Sequence, residues 1–299
     1  MQFIYKVPGY ILILMGGFFL SWGGLLIRSF EGANVWQILF WRALFFSLSL
    51  IIFLFFTYKR DAILIIKQSG FTALFAGLLM STSFVAYIVA MTETSVANVV
   101  FIISTQTVFL ALFGYLFLKE KISLKAFASI VLAMIGIFIM VGDSFSKGSL
   151  FGDLIALIIP INFSALILII RKYPNIDLVP SLLYSGLLGC LYGFLASKSI
   201  IISIHDLYIA FLLGIFQHSF GFIAVTIGAR TTPAVVVGIL MLTETLFAPF
   251  WVWLFLNEIP PTSVFVGGGI IITAVIIKSL DRKYSQVTSS QLSDPPDKE

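Results

Sequence analysis

The chain has 299 residues, 60% of them hydrophobic and 11% charged, and its mean hydropathy is +1.08. So few charges cannot cover the surface of a soluble domain, which excludes an ordinary globular enzyme or binding module. The net charge of +4 is scattered over short loops with no basic patch, which excludes nucleic acid as a partner, and the single cysteine, Cys190, excludes an intrachain disulfide.

The apolar residues fall in runs of about 20, the length that crosses a hydrocarbon core as a helix. Ten helices are predicted, over 9–28, 35–57, 69–91, 95–118, 123–141, 149–170, 179–198, 206–229, 233–256 and 261–280. The first follows Pro8 with one lysine and no A-x-A pattern, so it reads as an uncleaved helix rather than a signal peptide. The second carries Arg42 and the third ends near Glu93. Gln106 sits at the centre of the fourth, and Ser123 is placed to cap the fifth. Pro160 and Asn162 lie in the sixth, and Pro180 opens the seventh. The eighth has Gly214, Gly221 and Gly228 at seven-residue spacing, one smooth face for a close neighbour, and centres on Gln217 and His218. Pro233 opens the ninth, centred on Glu244; Pro260 and Pro261 open the tenth, which contains Gly267–Gly269. Residues 284–299, "YSQVTSSQLSDPPDKE", are polar and Pro/Ser-rich and read as a disordered cytoplasmic tail.

Lys and Arg set the orientation. With the N-terminus in the cytoplasm, thirteen basic residues lie inside: Lys6, Lys59, Arg60, Lys67, Lys119, Lys121, Lys125, Arg171, Lys172, Arg230, Lys278, Arg282 and Lys283. Only Arg28, Lys147 and Lys198 lie outside. Both termini are therefore expected in the cytoplasm, in a multi-pass protein of the cytoplasmic (inner) membrane.

A repeat runs through the chain. Thr105–Glu120, "TQTVFLALFGYLFLKE", aligns with Thr243–Glu258, "TETLFAPFWVWLFLNE", with seven of sixteen positions identical. "ETSVAN" from Glu93 similarly aligns with "RTTPAV" from Arg230. Five helices is an odd number, so two such copies cross the membrane in opposite senses, the signature of many secondary transporters. The expected fold is all-α, with ten transmembrane helices in two inverted five-helix repeats around a central cavity. The first repeat covers residues 1–145 and the second 146–283. The arginine of "FWRALFF", the "T-S-x-A" opening of the fourth helix and its closing "LFLKE" resemble the EamA-type proteins of the drug/metabolite transporter superfamily. The resemblance spans residues 8–280 and implies export or exchange of small metabolites by alternating access. Where that family often carries a proline, this chain has Thr107 and Thr245, with Pro249 one turn later.

Counting along each span brings Gln106, Asn162, Gln217, His218 and Glu244 to similar depth, with Arg42 about four residues outward. Ionised groups there cost on the order of 2.5–3.5 kcal/mol each and need water or one another. Tyr87 is the aromatic residue best placed for the cavity, within a wider set of Trp22, Trp36, Trp41, Tyr184, Trp251 and Trp253. These residues are expected to bind substrate, amino acids or organic cations being the classes that suit them. Glu244 is the expected proton-coupling group and Arg42 its charge partner. Glu93, Glu120, Arg230 and Glu258, near helix ends, are gate candidates. No phosphate-binding loop, H-E-x-x-H or G-x-S-x-G is present, so ATP hydrolysis, metal and cofactor chemistry are not expected. A membrane scaffold is the rival reading, and an intramembrane enzyme the weaker one. The lipid bilayer is the remaining partner, and the sequence is compatible with a monomer or a homodimer.

Overall fold

The computed structural model describes residues 2–94, 96–141, 149–256 and 262–279. Every regular element among them is helical: α1 (Gly9–Leu20), α2 (Gly23–Arg28), α3 (Val35–Tyr58), α4 (Ala62–Glu93), α5 (Val96–Ser104), α6 (Gln106–Leu118), α7 (Leu124–Val141), α8 (Leu150–Ala156), α9 (Ile158–Lys172), α10 (Val179–Ala196), α11 (Ile204–Phe211), a π-helical segment (Leu212–Ser219), α12 (Phe220–Ala229), α13 (Ala234–Leu256) and α14 (Thr262–Ser279). Seven stretches are long and apolar enough to cross a membrane, and two shorter apolar helices lie at Leu124–Ile139 and Thr262–Ile277. One stretch, Val35–Ala90, is 56 residues long. It turns back at Lys59, which takes a positive φ of 51° to make the reversal between α3 and α4. Large apolar side chains such as Phe56, Phe71 and Leu124 point outward at 68, 79 and 84% exposure. Only lipid makes such a surface stable, so this is a multi-pass membrane protein.

Local chemistry sets the helix ends. Asn34 and Gln37 form a reciprocal capping box at the start of α3. The Gln37 amide also donates to the carbonyls of Ser199 and Ile201, tying α3 to the segment before α11. Ser123 accepts from the Ala126 N–H, as expected for a cap on α7. Gly70, at φ +50°, breaks α4 into a short entry segment and the long helix that follows, close to the predicted start at residue 69.

The helices pack in a reciprocal pattern. α1 lies on α12 and α13, while α9 lies on α4 and α6. α3 lies on the π segment as α10 lies on α4, and α3 with α10, α6 with α13 and α7 with α14 pair directly. Exchanging α1 for α9, α3 for α10, α4 for the π–α12 unit, α6 for α13 and α7 for α14 maps these contacts onto each other. Glycines allow the closest approaches. A Cβ at Gly228 would stand 2.6 Å from the Gly9 carbonyl, and one at Gly9 would stand 2.5 Å from the Gly228 carbonyl. The glycine face of the eighth predicted helix is shared between two neighbours rather than one. Gly221 and Gly228 meet α1, whereas Gly214 meets the Arg42 carbonyl and Phe45 on α3.

Candidate functional site: a polar cavity between broken helices

Three of the predicted helices are interrupted. α1 and α2 part at Ser21–Trp22, α5 and α6 at Thr105, and α8 and α9 at Leu157, three residues before Pro160. In the eighth predicted helix the chain widens into the π segment, a distortion common at functional sites. Backbone of this kind is tolerated at membrane depth only where protein or a cavity receives its polar groups. All four places border one cavity of about 220 Å³, lined by Ser21, Gly23, Arg42, Ser83, Phe84, Tyr87, Ser104, Gln106, Phe163, Gln217, His218, Phe222, Glu244 and Thr245, among others.

Arg42 is 6% exposed, and its guanidinium carbon stands 5.2 Å from the centre of the Phe84 ring. Its Nη2 has no hydrogen-bond partner. His218 is enclosed by Phe46, Phe84 and Phe222, with ring centroids at 4.8, 4.8 and 4.7 Å. Its Nδ1 lies 3.2 Å from Gln217 Oε1, which selects the tautomer with hydrogen on Nδ1, and its Nε2 is buried without a partner. The Gln217 amide nitrogen donates to the Leu20 carbonyl at 3.0 Å, at the end of α1. Gly17 lets α1 pass against Thr243 and the backbone of Glu244. Ser104 and Thr245 hydroxyls meet at 3.4 Å across α5 and α13, and Thr107 donates to the Gly238 carbonyl at 3.1 Å. Tyr87 lines the same cavity as Arg42 and Glu244.

Six of the residues expected from depth, Arg42, Tyr87, Gln106, Gln217, His218 and Glu244, thus line one cavity. Asn162 does not. It turns toward α4 and donates to the Leu79 carbonyl and the Thr82 hydroxyl at 2.9 and 3.0 Å, while Ile159 and Phe163 of the same helix face the cavity. Asn162 thus turns to the other side of its helix from Ile159 and Phe163. The expected Arg42–Glu244 ion pair is also not formed. The ion pairs among the described residues join Arg171 to Glu120 and Arg230 to Asp177, with weaker contacts of His205 to Glu31 and Asp206. Arg42 instead rests on the face of Phe84. The tryptophans are elsewhere as well. Trp22 stacks on Trp251 at 4.2 Å, Trp251 donates to the Ser21 hydroxyl, and Trp41 donates to the Ile200 carbonyl. Phe84, Phe163 and Phe222 supply the aromatic wall, and no sequence signal separated them from the many other phenylalanines of the chain.

The cavity runs from mid-helix toward Ile27, Tyr87 and Ala248, away from the face that carries the N-terminus. That N-terminal face is tied by polar contacts. Glu120 accepts from Arg171 at 3.0 Å with one oxygen and from the Ala234 N–H at 2.9 Å with the other, so it also caps α13. Arg230 donates to the Pro174 carbonyl at 2.7 Å and lies 3.9 Å from Asp177. Asp177 also accepts from the hydroxyls of Tyr5 and Tyr58. Burial, with the adjacent Asp177 charge, raises the Tyr5 phenol above its ordinary value, so it remains a protonated donor. Of the gate candidates, Glu120 and Arg230 therefore sit in one network. Glu93 is exposed on the opposite face, where its neighbour Thr94 bonds Asp153 at 2.7 Å. Glu258 and residues 284–299 lie outside the described residues. On that same face Asp206 accepts from the N–H groups of Glu31, Gly32 and Ala33, fixing the α2–α3 turn to α11. Tyr5, Tyr58, Asp177 and Arg171 were not singled out as site residues in the sequence, because residues at or just beyond helix ends carry no periodicity that would join them. No group of three or more His, Cys, Asp or Glu forms a metal-binding arrangement among the described residues.

Residues 7–142 match the EamA-like transporter family. No curated protein matches the chain. A crystal structure of a protein at 14% identity superposes with a TM-score of 0.80, covering 91% of this chain and 97% of that one, which establishes a shared fold. Residues 7–142, which contain the arginine-bearing "FWRALFF" and the closing "LFLKE", are thus similar to the EamA-type transporters of the drug/metabolite transporter superfamily.

Proposed function

We propose that the chain is a secondary-active transporter that exports or exchanges small organic metabolites, such as amino acids or organic cations, across the inner membrane by alternating access. In this reading ten helices form two inverted five-helix repeats, 1–145 and 146–283, with both termini in the cytoplasm. The reciprocal helix contacts support the repeat, because each pairing recurs when the two halves are exchanged. The observation that carries the function is the cavity itself: two side chains of opposite charge, Arg42 and Glu244, line it without pairing with one another, at interruptions in the helices around it. A structural pair would neutralise itself; charges kept apart in a cavity serve something that enters it.

The arrangement corresponds to a state open away from the N-terminal face. Glu120 and Arg230 then act as the closed gate on the cytoplasmic side, while Glu93 and Glu258 belong to the outer gate. Glu244 is the proton-coupling group: substrate and proton compete for one carboxylate, and Gln106 is its non-titrating counterpart in the other repeat. Purified protein in proteoliposomes, screened with labelled amino acids, nucleosides, polyamines and organic cations, tests the reading. Protein-dependent, saturable flux of one of these classes is expected. Flux equal to empty vesicles for all of them contradicts transport and favours a scaffold.

A further inference from the structure

We infer that a second site, on the lipid-facing surface, seats one acyl chain of an anionic phospholipid, with its phosphate over Lys198. The site is separate from the polar cavity and does not depend on the transporter reading. α4 and α10 run side by side from the N-terminal face. In their first half they touch: a Cβ at Gly77 would stand 2.7 Å from the Ser181 carbonyl and from Tyr184 Cβ. Beyond mid-span an apolar crevice of about 640 Å³ opens between them, walled by Val85, Ala86 and Val89 of α4 and by Tyr192, Leu195 and Ala196 of α10. Ile158, beside the interruption between α8 and α9, and Trp36, at the start of α3, complete it. From Thr82 at the inner end to Val89 the crevice spans roughly 10 Å of helix rise, against ~15 Å for the hydrocarbon of one leaflet.

Depth, chemistry and charge select the occupant. A membrane-spanning helix does not fit along the crevice, because α4 meets α10 at Gly77 and closes it at mid-depth. A polar solute finds no partner in it. Thr82, the polar side chain at the inner end, already donates to the Leu79 carbonyl at 2.8 Å and accepts from Asn162 at 3.0 Å. A hydrocarbon chain of one leaflet needs neither a partner nor full membrane depth, and it covers apolar side chains such as Leu195, which is 71% exposed. Lys198 follows Ala196 by two residues and is exposed. The backbone just beyond it is pinned to α3, where Gln37 donates to the carbonyls of Ser199 and Ile201 and Trp41 to that of Ile200. Lys198 is therefore held at the same end of the crevice as Trp36, and among the described residues it forms no ion pair. A lysine at the polar edge of the bilayer favours an anionic headgroup. The seated chain lies against the back of the cavity wall, because α4 turns Val85, Ala86 and Val89 to the crevice and Ser83, Phe84 and Tyr87 to the cavity.

The test places the purified protein in phosphatidylcholine vesicles with rising amounts of dibrominated phosphatidylglycerol or dibrominated phosphatidylcholine, whose bromines quench tryptophan on contact. The Trp36 signal is the difference between the parental protein and Trp36→Phe. Trp253, 42% exposed near the end of α13, is read in the same way through Trp253→Phe and serves as an ordinary lipid-facing control. Half-quenching of Trp36 should need a mole fraction of the phosphatidylglycerol about fivefold lower than of the phosphatidylcholine, the preference that one lysine near the bilayer surface gives an anionic lipid. Trp253 should need equal fractions of the two. Lys198→Gln should abolish the preference at Trp36. Ala196→Phe, which adds a ring at an exposed crevice position, should weaken quenching of Trp36 by both lipids. Equal fractions at Trp36, a preference that survives Lys198→Gln, or quenching unmoved by Ala196→Phe each overturns the site. Trp36 shielded from both lipids overturns it too, and means that a second copy of the chain covers the crevice.

Discussion

Glu120 and Arg171 stand 3.0 Å apart on the N-terminal face, and the second carboxylate oxygen of Glu120 caps α13 through Ala234. One side chain thus joins the ends of three helices, α6, α9 and α13. Both members are partly shielded, at 14 and 23% exposure, so their pairing is worth more than that of a free surface pair. Glu120→Gln and Arg171→Gln should each lower stability by about 1–2 kcal/mol, and the double variant should lose less than the sum. Thermal unfolding in detergent checks this. Additive losses would show that the two residues do not act together.

The second tie on that face predicts a conformational effect. Asp177 gathers Tyr5, Tyr58 and Arg230. Asp177→Asn removes the charge that these groups converge on. Thr232 is 1% exposed on this face, so a cysteine placed there reports opening. In a Cys190→Ala background it should react with a maleimide about fivefold faster or more once Asp177→Asn is added, the factor for ~1 kcal/mol of lost closure. An unchanged rate would mean that Asp177 does not hold the face shut.

The glycine contacts predict a sharp contrast. Gly228→Val drives a side chain into the Gly9 backbone, 2.6 Å away at Cβ, and should cost about 1–3 kcal/mol. Gly269→Ala meets nothing within 4 Å and should be neutral or stabilising, by up to ~1 kcal/mol from helix propensity. Comparable thermal losses in both variants would contradict the close approach of α1 and α12.

Orientation is tested by labelling. Glu93 and Lys121 are both exposed, on opposite faces. In a Cys190→Ala background, a cysteine at Glu93 should react with an impermeant thiol reagent added outside intact cells, and one at Lys121 should not. The reverse pattern places the termini outside.

The all-helical, multi-pass character was legible in advance, because apolar runs of span length report on the bilayer and prolines mark helix starts. Helix rise is constant, so counting along the spans grouped Gln106, Gln217, His218 and Glu244, and all four line one cavity. Rotation was not legible, because these helices are apolar on every side and give no polar face to read; hence the misplacement of Asn162. The π segment carries no sequence signature, yet both adjacent side chains at Gln217 and His218 line the cavity from it. Long-range pairing was equally hidden. Arg42 and Glu244 suggest each other as partners by charge, but Phe84 takes the guanidinium. Tyr5 and Asp177 lie 172 positions apart, and nothing local to either residue announces their contact.

The proposal centres on Glu244 as the residue that couples proton and substrate movement. The most direct measurement is uptake of a labelled amino acid into proteoliposomes under an imposed pH gradient, compared with exchange at equal pH, for the parental protein and Glu244→Gln. The parental protein should accumulate the amino acid against its gradient, while Glu244→Gln, whose triplet becomes "TQT" like its mate at Thr105–Thr107, should exchange it but not accumulate it. Accumulation by Glu244→Gln at the parental rate would contradict the coupling role.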